Sequence, residues 1–278
     1  MTVSEQRFRY EGADGTGLAG FRWSAGAKPK AVIQLAHGAG EHAGRYREVM
    51  SPIVEAGYLM YAADHRGHGL TSGMTHLGDF GPGGAPAAVD DMAVLMRRIR
   101  DEHPDLPRVL FGHSMGAMFS QAWVMEHSDL IDALVLSGTA GPSPIRPESL
   151  NADFSGRTPY DWLSRDDAEV DKYIDDPFCG IRFAPDSQAS FMTLRERRLD
   201  AEALAKIKPG LPIYVFVGDA DPINAKLQRL TPLVDAYEAA GLKVTLKVYP
   251  GGRHEMLNET NRDEVVADLK AWLDKTVG

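Results

Sequence analysis

Cysteine is almost missing from this 278-residue chain: Cys179 stands alone, so no intrachain disulfide can form. With no activating neighbour in sequence, that thiol reads as a packed small hydrophobe or a surface group rather than a nucleophile. Basic residues are outnumbered, 30 against 39 acidic ones, for a net charge of −9. The densest basic stretches, Arg97-Arg98-Ile99-Arg100 and Arg195-Glu196-Arg197-Arg198, are short and read as solvated helix faces. With no basic stripe to displace counterions, nucleic acid is not an expected partner. No apolar run approaches the ~20 residues of a membrane span, so no transmembrane segment is expected. The first residues, Met1 to Arg7, lack the basic start and apolar run of a signal peptide, and the expected location is cytoplasmic. Nothing in the sequence sets the oligomeric state.

What is present is an ordinary globular composition, 44% hydrophobic and 25% charged. Strand-length apolar runs alternate with longer segments of helical period, which points to an α/β fold with a mostly parallel sheet. Strands are expected at Gln6–Tyr10, Leu18–Trp23, Ala31–Ala36, Tyr58–Ala63, Pro107–Phe111, Ala133–Ser137, Pro212–Val217 and Lys243–Tyr249. Helices are expected from about Gly44, carrying Tyr46, Val49, Met50, Ile53 and Val54 at helical spacing, and over Ala87–Arg100, Ala117–Glu126, Pro232–Ala240 and Val265–Leu273. Residues 141–208 break this rhythm. They open with Gly141-Pro142-Ser143-Pro144-Ile145-Arg146-Pro147, too proline-rich for a helix or central strand, and carry scattered aromatics: Phe154, Tyr160, Trp162, Tyr173, Phe178, Phe183 and Phe191. The division expected is a core of residues 1–140 and 209–278, with 141–208 inserted as a cap or lid over one end of the sheet.

Chemistry concentrates at the ends of the expected strands. Gly112-His113-Ser114-Met115-Gly116 follows an apolar strand and precedes a helix, the context of a nucleophile elbow. A sharp strand-to-helix turn presents the central side chain above the sheet, and glycine two residues to either side removes Cβ atoms that would collide there. A serine hydroxyl needs a base and the base needs an orienting acid. In this arrangement they follow in the order acid, then histidine, each on a loop after a strand. Gly218-Asp219-Ala220-Asp221-Pro222 and Pro250-Gly251-Gly252-Arg253-His254-Glu255 supply both. Asp221 is preferred to Asp219, which directly follows Gly218 and suits a turn-stabilising role. The small-residue loop His37-Gly38-Ala39-Gly40 then offers the Ala39 N–H as an oxyanion donor, beside that of Met115 at the helix start. His37 suits a structural bond that shapes this loop. Asp64-His65-Arg66-Gly67-His68-Gly69 reads as a glycine-bent turn pinned by local polar contacts, because no second ligand cluster accompanies it. Gly15-Thr16-Gly17-Leu18-Ala19-Gly20 matches a dinucleotide fingerprint in letters only, since it leads into a strand and not a helix.

Taken together, these pieces resemble the α/β-hydrolase superfamily, and within it the monoacylglycerol lipase and lysophospholipase branch. The matching segments are His37-Gly38-Ala39-Gly40-Glu41-His42 with Gly44-Arg45-Tyr46, the Asp64–Gly69 turn, the elbow, Gly218–Asp221 and Arg253–Glu255. Asp176-Pro177-Phe178-Cys179-Gly180 is similar to part of the cap of bacterial members. The resemblance implies an eight-stranded, mostly parallel sheet flanked by helices, with a cap between the sixth strand and the acid-bearing strand. It implies Ser114, Asp221 and His254 as a catalytic triad, Ala39 and Met115 as oxyanion donors, and no metal or organic cofactor. The substrate class implied is a monoacylglycerol, lysophospholipid or similar carboxylic ester. A thioester or peptide on the same triad, or a non-catalytic ligand pocket, is the alternative. A long apolar, membrane-docking helix is not evident in residues 141–208, unlike the eukaryotic monoacylglycerol lipases.

Overall fold

The computed structural model describes residues 2–26, 28–142, 149–154, 156–196 and 201–278. Eight strands form one sheet: β1 (Ser4–Glu11), β2 (Gly17–Ser24), β3 (Ala31–Ala36), β4 (Tyr58–Ala63), β5 (Arg108–His113), β6 (Ala133–Ser137), β7 (Pro212–Gly218) and β8 (Lys243–Tyr249). Their spatial order is β1-β2-β4-β3-β5-β6-β7-β8. β1 and β2 form an antiparallel hairpin, β2 pairs antiparallel with β4, and every later pairing is parallel. The glycine-rich Gly15–Gly20 segment therefore lies in the turn and first residues of that hairpin's second strand, away from any helix start.

Alternation along the central strands shows why the sheet is covered on both faces. In β7, Ile213, Val215 and Val217 enter one apolar cluster, while Tyr214 and Phe216 enter the other. β5 and β6 split in the same way, Leu110, Leu134 and Leu136 to one side and Val109, Phe111, Ala133 and Val135 to the other. Successive side chains of a strand point to opposite faces, so a run that is apolar throughout needs two covering layers. The helices before β7 are α1 (Tyr46–Val49), α2 (Ser51–Glu55), α3 (Gly69–Ser72), α4 (Gly84–Glu102), α5 (Met115–His127), α6 (Asp167–Asp175), α7 (Pro185–Glu196) and α8 (Ala201–Leu204). After β7 come α9 (Thr231–Ala239) and α10 (Arg262–Thr276). Faces of α4, α5 and α9 supply the first cluster, and those of α1, α2 and α10 the second. α5, wedged under the sheet centre, is buried on almost every side, which explains its lack of a polar face.

Two local expectations change. The segment after Gly44 is not one helix: a short 3₁₀ turn, α1 and α2 succeed one another, with Pro52 in the first turn of α2. Proline has no N–H to donate to the preceding turn, so the helical ladder is interrupted there while Tyr46, Ile53 and Val54 still face the core. α5 begins two residues earlier than its hydrophobic pattern alone suggests, because the elbow passes from strand to helix within one residue. Arg97 and Arg100 are exposed on α4 while Ile99 between them is buried, as a solvated helix face requires. Arg197 and Arg198, with Pro144, Ile145, Arg146 and Pro147, lie outside the described residues.

Between β6 and β7 the chain leaves the sheet. α6 is capped by Asp166, whose carboxylate accepts the Ala168 N–H at 3.1 Å. Phe183 and Phe191 pack with Phe80 and Phe119 at ring separations of 5.0–6.1 Å, tying the α7 region to the loop before α4 and to α5. Among the described residues, no helix is long and apolar enough to cross a membrane.

Candidate active site

Ser114 sits between β5 and α5 with φ 52° and ψ −115°. A non-glycine residue in this region is strained by one to a few kcal/mol and persists only where its surroundings hold it. They do here. The Ser114 N–H donates to the Ser137 carbonyl at 2.9 Å, and its own carbonyl accepts from Met118 at 3.0 Å. A Cβ on Gly116 would run into the Ala36 carbonyl, and one on Gly112 would meet the Gly116 carbonyl at 2.5 Å. The two glycines let strand, turn and helix close to within a side chain's thickness, which leaves the Ser114 hydroxyl as the group presented at the top of the sheet.

The next two side chains arrive from the ends of β7 and β8. His254 Nε2 lies 2.9 Å from Ser114 Oγ, and His254 Nδ1 lies 2.9 Å from Asp221 Oδ2. Asp221 is only 1% exposed and His254 2%, so this hydrogen-bond chain runs through a space nearly closed to water. The second Asp221 oxygen accepts the Ile223 N–H at 2.8 Å, which fixes the carboxylate plane. Burial opposes a charge on the His254 ring, but the Asp221 charge and hydrogen bond outweigh it, aided by Glu255 and Glu41, and raise the pKa above its ordinary value. Asp219 does something else: its carboxylate accepts the Gly251 N–H at 2.7 Å and braces the histidine-bearing loop from the exposed side.

The loop after β3 lies against the serine. A Cβ on Gly38 would stand 2.7 Å from Glu41 Oε1 and 3.1 Å from the Ser114 Cβ, so glycine lets the loop approach this closely without displacing either side chain. Neither the Ala39 nor the Met115 N–H meets a protein acceptor among the described residues; Met115 directly follows Ser114, and Ala39 follows Gly38 on the adjoining loop. The loop's shape is held from below. His37, fully buried, bonds the Gly38 carbonyl through Nδ1 at 2.8 Å and accepts the His65 N–H through Nε2 at 3.0 Å. Burial, then the neighbouring His65 and His68, hold its pKa well below the ordinary histidine range, so it stays neutral as an acceptor must. The Asp64–Gly69 turn is pinned locally. Asp64 accepts the Ala43 and Leu70 N–H groups at 2.8 and 2.7 Å, and Arg66 clamps Asp91 and Asp14.

A buried ionic network links the serine-side loop to the histidine-side loop, and sequence reading did not assign it a role. Glu41 accepts the Gly38 N–H at 2.5 Å, the Tyr46 hydroxyl at 2.7 Å and Arg45 at 2.6 Å. The same Arg45 guanidinium reaches Glu255 through two bonds of 2.8 and 2.9 Å. Burial opposes ionisation of Glu255, but the Arg45 charge and its bidentate bond hold that carboxyl down to about 2. Burial pushes Glu41 up, with Arg45 opposing. His113, whose ring lies 4.9 Å from that of His254 at an inclination of 50°, is lowered to about 3 by burial and by the His254 charge, so it packs as a neutral ring.

Four aromatics of residues 141–208, Phe154, Trp162, Tyr173 and Phe178, pack on these loops. Trp162 lies against the His254 ring at 4.8 Å, and the Leu163 carbonyl accepts the Glu255 N–H at 2.8 Å. The Tyr173 hydroxyl donates to the Gly40 carbonyl at 2.8 Å, and the Gly180 N–H donates to the same oxygen at 2.9 Å. Phe154 sits under the Arg253 guanidinium at 4.6 Å, and Phe178 meets the His42 ring at 5.7 Å. The spacing of these rings in sequence follows no helical or strand period, so only their number signalled that they pack on something.

Known proteins carry the same plan. The family described as serine aminopeptidase S33 matches residues 27–261. A monoacylglycerol lipase of Mycolicibacterium smegmatis is 34% identical, across 98% of this chain and 97% of that one. The monoglyceride lipase of Mus musculus is 30% identical, across 95% and 89%. The crystal structure of a highly thermostable carboxyl esterase from Bacillus coagulans, in complex with glycerol, superposes with a TM-score of 0.92 at 27% identity, covering 100% of both chains. The chain therefore belongs to the serine aminopeptidase S33 family of α/β hydrolases, in its monoacylglycerol lipase-like branch, and is a serine hydrolase of carboxylic esters.

Proposed function

We propose that Ser114, His254 and Asp221 act as the catalytic triad of a hydrolase for monoacylglycerols and related small carboxylic esters. Ala39 and Met115 are its oxyanion donors, and residues 141–208 are the cap over its substrate pocket. The observation that carries this reading is the unbroken hydrogen-bond chain from Ser114 Oγ through the His254 ring to Asp221, both links 2.9 Å. The relatives named as monoacylglycerol lipases and the esterase holding glycerol favour a glycerol ester as substrate.

In the first step His254 Nε2 takes the Ser114 proton while Oγ attacks the ester carbonyl. Asp221 keeps the proton on Nδ1, so that Nε2 faces the serine with its lone pair, and it stabilises the imidazolium that forms. The carbonyl oxygen becomes an oxyanion between the Ala39 and Met115 N–H groups, each such donor being worth roughly 3 kcal/mol in the transition state. The imidazolium returns its proton to the departing alcohol, leaving an acyl-Ser114 ester. Water, activated by the same imidazole, then releases the acid and regenerates the serine. Trp162, Tyr173 and Phe178 fasten residues 162–178 to the histidine and oxyanion loops, so the position of this part of the cap and the site geometry are coupled.

Turnover of a monoacylglycerol series, p-nitrophenyl esters, lysophospholipids and an amino-acid p-nitroanilide by wild type and Ser114→Ala tests the reading. Ester turnover by wild type that falls at least about 10⁴-fold in the variant is the expected result. Preference for the anilide, or ester turnover surviving in Ser114→Ala, removes it.

A further inference from the structure

Outside the Ser114 site, the described residues contain one group of side chains with the donor set and spacing of a metal centre: His42, Asp176 and Cys179. They come from opposite sides of a seam. His42 follows the loop that bears Ala39, whereas Asp176 and Cys179 lie in the turn after α6. One donor atom from each lies within 4.8 Å of the others, and His42 Nε2 is already 2.8 Å from Asp176 Oδ2. The turn is preset: the Cys179 N–H donates to the Asp176 carbonyl at 2.9 Å, and the Phe178 N–H donates to the Asp176 carboxylate at 2.9 Å.

From this geometry we infer that His42, Asp176 and Cys179 bind a zinc-class divalent cation that straps the 176–180 turn to the oxyanion loop. A tetrahedral ion with bonds of ~2.0–2.3 Å holds its ligand atoms about 3.3–3.6 Å apart. The His42–Asp176 pair reaches that spacing by opening slightly, and the sulfur by moving in by no more than about 1.5 Å. Mixed imidazole, carboxylate and thiolate donors select a borderline-soft ion over magnesium or calcium, which take oxygen ligands. Three protein ligands leave a fourth position for water. A cavity of about 280 Å³, lined by Glu5, Arg7, Phe21, His42, Gly44, Leu70 and Phe178, opens on the His42 side of the cluster. The ion joins a strap that already exists, since Gly180 and Tyr173 both bond the Gly40 carbonyl. Its effect is to fix residues 176–180 against Gly38–His42 without touching Ser114, His254 or Asp221.

Two experiments on the full chain decide this. In the first, metal-free protein is titrated with Zn²⁺ against a chromophoric chelator, and with Co²⁺ followed by near-ultraviolet absorption. One equivalent of Zn²⁺ is expected, with a thiolate-to-cobalt charge-transfer band. Cys179→Ser abolishes the band, and both it and His42→Ala weaken Zn²⁺ binding by more than the ~10–100-fold that loss of an outer-shell partner costs. No stoichiometric binding, or binding unchanged in both variants, overturns the assignment. In the second, wild-type protein alone is alkylated with iodoacetamide, where Cys179 is the only cysteine to react. Saturating Zn²⁺ slows the reaction at least tenfold; equal rates with and without Zn²⁺ refute the site, whatever the folding of any variant.

Discussion

Replacing Arg45 by Met isolates the ionic network that joins the two halves of the site. The Arg45 side chain is 11% exposed, and those of Glu41 and Glu255 are 4% and 7% exposed, so water cannot replace the lost charge. Breaking a buried pair by removing one partner costs about 3–5 kcal/mol, because the other charge is left without compensation. For a domain of this size each kcal/mol moves Tm by ~2–4 °C, so Arg45→Met should lower it by roughly 6–20 °C. The loss depends on pH with a definite sign. In wild type the folded-state pKa of Glu255 is depressed to about 2, so its contribution is present above the unfolded value near 4.3 and is lost as pH falls through the folded one. Without Arg45, burial and the Glu41 charge have only the Asn258 hydrogen bond and weaker neighbours set against them and raise that carboxyl, so the variant loses stability as pH rises from 5 to 8. Chemical denaturation at both pH values measures this, and Arg45→Met/Glu255→Gln supplies the control. Removing the orphaned charge should make the double variant more stable than Arg45→Met alone by about 1 kcal/mol or more. A Tm change under 2 °C with no pH dependence, or a double variant that is worse, would refute the reasoning.

Asp221→Asn should keep the fold but favour the wrong His254 tautomer, lowering kcat by ~10⁴-fold, whereas Asp219→Asn should lower it by less than about tenfold; similar losses in both would mean that the acid is misassigned. The raised pKa of His254 predicts that kcat/KM climbs with pH through an apparent value above about 6.5, the ordinary histidine value, and that any limb left in Asp221→Asn lies at lower pH. The same raised value means that protonated His254 stabilises the fold below that ordinary value and ceases to as pH rises through the folded one, which denaturation of wild type and His254→Gln across pH 5 to 9 would show.

Much of this arrangement was legible because its signals are local. β3, β4, β6 and β8 coincide with their apolar runs residue for residue. The elbow, the acid loop and the histidine loop each carry a short motif after a strand, and parallel topology brings such loops to one end of the sheet. The Arg45 network was not legible in the same way. Arg45 and Glu255 stand 210 residues apart, and a charged residue in sequence looks the same whether it meets water or a buried partner. The break between α1 and α2 was missed because hydrophobic spacing continues across Pro52 while the backbone ladder does not. The rings of Trp162 and Tyr173 act through contacts with His254 and Gly40 that no spacing encodes.

The most direct measurement of the central claim is covalent: reaction with a fluorophosphonate probe, followed by peptide mapping of the adduct. The account predicts a single modified residue, Ser114, labelled in wild type at least a hundredfold faster than in His254→Gln. Labelling at another residue, or at Ser114 with equal rates in both proteins, would contradict it.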